Sequence, residues 1–92
     1  MKLKYQYDKE ILTISEKQSE SDIEITILFR NEESAKHLEA IRIFFDENDI
    51  YTDAIFNTYT DNSHQVIVRK DYYIDFILQL FKQTLLKSIT WE

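Results

Sequence analysis

Apolar residues recur along this chain with two different periods, and the switches between them mark out its elements. Residues 23–29, IEITILF, put Ile23, Ile25, Ile27 and Phe29 on one side and Glu24, Thr26 and Leu28 on the other. That two-residue repeat predicts a half-buried strand. Residues 71–89, DYYIDFILQLFKQTLLKSI, change to a helical repeat with Asp75, Gln79, Lys82 and Gln83 on one polar strip. Tyr73, Ile74, Phe76, Ile77, Leu78, Leu80, Phe81 and Leu85 then cover roughly half or more of the circumference, against the arc of about 100° by which a surface helix meets one sheet. This helix is expected to be the inner wall of the fold, with Asp71 as its cap and shoulders that meet a second element or a second chain. An earlier helix is predicted from Asn31, a good N-cap, through Glu32 and Glu33, which suit the positive end of the helix dipole, to about Glu47. Leu38, Ile41, Phe44 and Phe45 form its core stripe.

The remaining elements are shorter. Residues 2–7 alternate, with Leu3, Tyr5 and Tyr7 on one side, and a turn at Asp8-Lys9 leads to a second strand at 10–15, so the pair reads as a hairpin. Residues 16–22, EKQSESD, read as a mobile polar loop. Strands are predicted at Ile50 to Tyr59 and at Gln65 to Arg69, joined by a turn at Asp61-Asn62-Ser63. Ser88 to Glu92 either adds a final strand or lets Trp91 fold back on the core. The order is β-β-β-α-β-β-α, and from its third strand onward it matches a ferredoxin-like split β-α-β core without the last strand. The expectation is an α+β single domain over residues 1–92, with a mostly antiparallel sheet of about five strands and both helices on one face. The other face is left for water or a partner.

Composition narrows the chemistry. Ninety-two residues with 43% hydrophobic and 14% aromatic content suffice for one core and argue against disorder. Cysteine is absent, which removes disulfides, thiol catalysis and thiolate zinc sites. Glycine and proline are absent too, so phosphate-cradling glycine loops are excluded and the corners fall to Asp, Asn and Ser. No basic start precedes an apolar run and no stretch is long enough to span a bilayer; the chain is expected to be cytoplasmic, without a membrane role.

The charge is uneven. Residues 20–63 carry eleven acids against Arg30, Lys36 and Arg42, a net of −8, while the flanking segments are each slightly basic. Such a middle opposes a phosphate backbone and favours a basic partner, so direct nucleic-acid binding is not expected. Asp46, Glu47, Asp49 and Asp53 form the densest carboxylate group, but without the glycine and ligand alternation of a calcium loop they read as a solvated turn, and no metal is predicted. With Ile50, Ala54 and Phe56 directed to the core, Tyr51, Asp53, Ile55, Asn57 and Tyr59 would face outward beside Glu24, Thr26, Leu28, Gln65, Ile67 and Arg69. Tyrosines favour such surfaces because they bury a large area at low entropic cost. His37 and His64 stand apart from any nucleophile motif, so no catalytic residue and no cofactor is predicted.

The chain therefore reads as a small acidic non-enzymatic binding protein. Its leading interpretation is an inhibitor or immunity protein, antitoxin-like, that occludes a basic protein such as a bacterial nuclease toxin. In size and acidity it is similar to many bacterial immunity proteins. Asp46, Glu47, Asp49, Tyr51, Asp53 and Tyr59 are the predicted contact residues. The alternatives are a DNA mimic or phage-type inhibitor of a nucleic-acid enzyme, and a homodimeric structural or regulatory module.

Overall fold

The structure, a computed structural model, describes residues 3–47, 54–59 and 63–92. Within them the chain runs through β1 (Leu3–Gln6), β2 (Leu12–Gln18), β3 (Asp22–Phe29) and α1 (Glu32–Glu47). It continues through β4 (Ile55–Thr58), β5 (Ser63–Arg69), α2 (Tyr73–Lys82) and β6 (Ser88–Trp91). The fold is α+β and its sheets are antiparallel. Among the described residues no helix is long and apolar enough to cross a membrane.

Four strands form the main sheet in the order β2-β3-β5-β4, each antiparallel to its neighbour. β3 and β4 are thus parallel to each other, with β5 between them and α1 as the crossover, which is the split β-α-β unit expected from the element order. The inward residues of β3, Ile23, Ile25, Ile27 and Phe29, are buried together with Leu12 and Ile14 of β2 and Val66 and Val68 of β5. Leu38, Ile41 and Phe45 of α1 and Phe76, Ile77 and Leu80 of α2 complete the same cluster, so both helices cover one face. Phe45, Phe56 and Phe76 clamp α1, β4 and α2 together, with ring centroids 6.0 to 6.3 Å apart.

Three local expectations are corrected. β1 does not form a hairpin with β2. It pairs antiparallel with β6, in the register Leu3↔Trp91 to Gln6↔Ser88, and makes a second, two-stranded sheet. The turn itself is as expected, since Asp8 accepts the amides of Ile11 and Leu12 at 2.9 and 3.1 Å and its carboxylate takes that of Glu10 at 2.9 Å. Ahead of that turn Leu3 and Tyr5 of β1, and Tyr7 just after the strand, pack against the core together with Ile89 of β6. Pairing with β6 satisfies the backbone of β1 while Leu3 and Tyr5, with Ile89 beside them, stay packed on the core.

The polar stretch after Ser15 is likewise no loop. β2 runs on to Gln18, paired with Ile23, and the three-residue connection closes where the Ser19 amide donates to the Asp22 carbonyl at 2.9 Å. Residues 15 to 18 are exposed on both sides at the sheet edge, so no alternation betrays the strand.

Lastly, α2 is shorter at both ends than the apolar run implies. Asp71 lies in a single 3-10 turn over Lys70–Tyr72, and the helix starts after Tyr72 without a side-chain cap. By contrast α1 is capped as predicted, the Asn31 side chain accepting the Ser34 amide at 2.8 Å. α2 stops because Thr84 turns left-handed, with φ of 62°. The Leu85 amide then reaches the Leu80 carbonyl and the Thr84 amide the Phe81 carbonyl, both at 3.0 Å. This is a Schellman motif with a threonine where glycine is usual, in a chain that has no glycine. A left-handed β-branched residue costs about 1–2 kcal/mol. Leu85 and Leu86, which leave the turn buried, offset it at about 1.5–3 kcal/mol each.

Replacing Thr84 by Gly removes that strain but gives entropy to the unfolded chain, for an expected net gain of about 0.5–1 kcal/mol. The midpoint of urea unfolding should rise in Thr84→Gly with the slope of the transition unchanged.

Candidate functional site

The outer face of the main sheet follows directly from the alternation. Row by row across β2, β3, β5 and β4 it presents Lys17, Glu24, Ile67 and Ile55, then Ser15, Thr26, Gln65 and Asn57. The next row holds Thr13, Leu28 and Ser63, with Tyr59 beside Ser63 through its backbone amide at 2.9 Å. Tyr59 is exposed and its hydroxyl donates to Gln65 Oε1 at 3.1 Å. Asn57 donates to the same oxygen at 3.4 Å. Among the described residues this face is close to neutral, because Glu24 stands opposite Lys17 and Asp22 opposite Arg69.

The acids lie elsewhere. Glu32, Glu33, Glu39, Asp46 and Glu47 are exposed on α1, whose outer face also carries Ile43 at 47% exposure. On a 3.6-residue helix Ile43 falls between Glu39 and Glu47, one turn from each, with Asp46 beside it. Arg42 is shared by Glu39 at 3.9 Å and Asp46 at 3.7 Å. Exposed pairs at this spacing contribute only about 0.3–0.5 kcal/mol, so an incoming cation can compete for either carboxylate.

Of the predicted contact residues, then, Asp46 and Glu47 sit together at the end of α1, in the layer covering the inner face of the sheet. Tyr59 points from the outer face and is not brought to them. Asp49, Tyr51 and Asp53 lie outside the described residues.

Neither histidine gathers a set of catalytic groups among the described residues. His37 bridges α1 to the end of α2, with Nδ1 3.3 Å from Gln83 Oε1. His64 is on the inner face of β5, edge-on to Phe29 at 5.3 Å and 3.2 Å from Thr58 Oγ1. The cavity beside it, lined also by Leu38, Glu39, Arg42 and Phe56, has a volume of about 20 Å³, room for a water and little more. Burial pushes the His64 pKa down, with Glu39 pulling weakly the other way.

A site that the sequence does not announce lies between the two sheets. Leu3, Lys4 and Tyr5 of β1, Glu16 and Gln18 of β2, Tyr73 and Ile74 of α2, and Trp91 of β6 line an open groove of about 470 Å³. At its floor the hydroxyls of Tyr5 and Tyr73 both donate to Glu16 Oε2, that of Tyr73 at 2.8 Å. Burial, and then these bonds to a carboxylate, push both phenols well above the usual tyrosine range. Sequence reading missed these residues because they come from four elements and meet only when β1 leaves β2 for β6. The available signal was weak: Glu16 holds an inward position in β2 if the alternation of Leu12 and Ile14 is carried on.

Compared with protein-family models, with curated proteins and with solved structures, the chain has no match.

Two pH effects follow. Tyr5 and Tyr73 titrate higher folded than unfolded, so their contribution to stability is complete below the unfolded value of about 10 and is lost as pH rises above it. Absorbance titration at 295 nm should contain a late component that the Tyr5→Phe, Tyr73→Phe double variant lacks. His64 titrates lower folded than unfolded, so its contribution is present above about pH 6.5 and falls as pH drops through that value. Unfolding midpoints measured from pH 7.5 to 5 should decline less in His64→Gln than in the parent.

Proposed function

We propose that this protein is a small acidic binding protein that docks on a basic protein and occludes its working surface, as an immunity protein or antitoxin does with a nuclease toxin. The observation that carries this reading is the outer face of α1, where the exposed Ile43 is flanked by Glu39, Asp46 and Glu47. An apolar anchor within a polar rim is the usual anatomy of an interface whose energy is concentrated at its centre. The carboxylates supply long-range attraction, which raises association rates and disfavours acidic competitors. A nuclease, whose own site must be basic to hold phosphates, is the partner class that such a face complements best. In this reading the protein performs no chemistry of its own; it excludes the substrate of another.

A second reading rests on α2. Ile74, Leu78 and Phe81, at i, i+4 and i+7, remain 41%, 43% and 45% exposed on the shoulder of the helix. Such a stripe suits a two-fold pairing of α2 with its copy, the homodimeric module of the alternative reading.

Co-purification from the native host, followed by surface plasmon resonance on the captured basic protein, tests the first reading. Asp46→Lys with Glu47→Lys is expected to lower the association rate at least tenfold at low salt, and Ile43→Ala to speed dissociation. Undiminished affinity in both would sink the α1 interface. Sedimentation at micromolar concentration addresses the second, where a monomer in the parent protein removes the dimer.

A further inference from the structure

The aromatic groove has a charge pattern that neither surface above requires. Three aromatic side chains and one carboxylate line it, and the cationic group in its wall, Lys4, has a carboxylate of its own beside it, with Nζ 2.8 Å from Glu92 Oε2 at the surface. Both phenol hydroxyls are committed to Oε2 of Glu16, which leaves Oε1 without a partner among the described residues. The same two bonds hold the rings of Tyr5 and Tyr73 about the carboxylate. Trp91 lines the same groove at 49% exposure, on the face that β6 shares with Leu3 and Tyr5 of β1.

An anion would meet a carboxylate here and two hydroxyls that have no proton left to donate. A metal ion would find one carboxylate, too few hard ligands. An apolar solute would leave Glu16 Oε1 unpaired beneath it. An organic cation fits all three features, because its charge faces the carboxylate while its alkyl groups lie against the negative faces of the rings.

We propose that this groove is a binding site for an alkylammonium group, with Glu16 as the counter-charge and Tyr5, Tyr73 and Trp91 as the walls. The site is separate from α1 and stands whether or not that helix docks a partner. At about 470 Å³ the groove admits either a small free quaternary amine or the end of a lysine side chain presented by a peptide. The shared chemistry is the ammonium group; the source is decided by experiment.

Trp91 is the only tryptophan, so its indole N–H gives a single, site-specific NMR signal in the full chain. The labelled protein is titrated with tetramethylammonium chloride, with N-acetyl-lysine methylamide, and with tert-butanol as a neutral probe of similar shape, all at constant ionic strength. A saturable shift of the indole signal is expected with at least one of the cations, with a dissociation constant on the order of 1–10 mM. Tert-butanol should bind at least tenfold more weakly. The cation with the tighter constant identifies the source. Glu16→Gln, whose amide oxygen still accepts the phenol hydroxyls, should weaken the cation at least tenfold while the rest of the spectrum stays dispersed. Absence of saturation with both cations, an equal response to tert-butanol, or an unchanged constant in a folded Glu16→Gln overturns the proposal. The comparison of cation with alcohol on the parent protein decides it even if the variant does not fold.

Discussion

The inward face of β3 is the constraint on which the rest of this structure depends. Ile25 and Ile27 are wholly buried at the middle of the sheet, with both helices above them. A register slip of one residue would put Glu24, Thr26 and Leu28 under the helices and these isoleucines in water, so the burial fixes β3 between β2 and β5. The three-ring contact of Phe45, Phe56 and Phe76 then ties each helix to β4 and to the other helix. The outer face of the sheet and the outer face of α1 are what this core leaves exposed.

A chain without glycine must meet its turns with side chains that bond their own backbone or tolerate strain. Asp8 does the first at the corner after β1, and Asn31 does the equivalent at the start of α1. Thr84 accepts a left-handed backbone so that α2 can end where Leu85 and Leu86 enter the core. That reversal also sends β6 back alongside β1. The groove between the sheets is therefore a consequence of the cap at the end of α2, and the Tyr5 and Tyr73 hydroxyls meeting at Glu16 join the two sheets and the helix across it.

The division of charge between layers bears on how the protein meets partners. Carboxylates concentrate on the outer face of α1, whereas the described part of the open sheet face is balanced by Lys17 and Arg69. In the proposed reading a basic partner would be drawn to the helix side, while the sheet side exposes polar and aliphatic groups around Tyr59, Leu28 and Ile55. A combined acid-and-tyrosine surface is thus divided between two sides of the molecule, as far as Asp46, Glu47 and Tyr59 are concerned.

What the amino-acid sequence determined by itself is whatever depends on neighbours a few residues away. The alternation of Ile23 to Phe29, the cap at Asn31, the end of α1 at Glu47, the outward positions of Asn57, Tyr59 and Gln65 and the α+β order could all be read along the chain. Tertiary structure decided which strand pairs with which, because an edge and an apolar face at Leu3, Tyr5 and Tyr7 can be satisfied by more than one partner. It decided that β2 continues through exposed polar residues, where no hydrophobic period exists to mark a strand. It placed Tyr59 away from Asp46 and Glu47, and it assembled Tyr5, Glu16, Tyr73 and Trp91 from four distant segments. Local propensity acts through residues close in sequence, whereas convergence of side chains from separate elements is set only when the whole core chooses its packing.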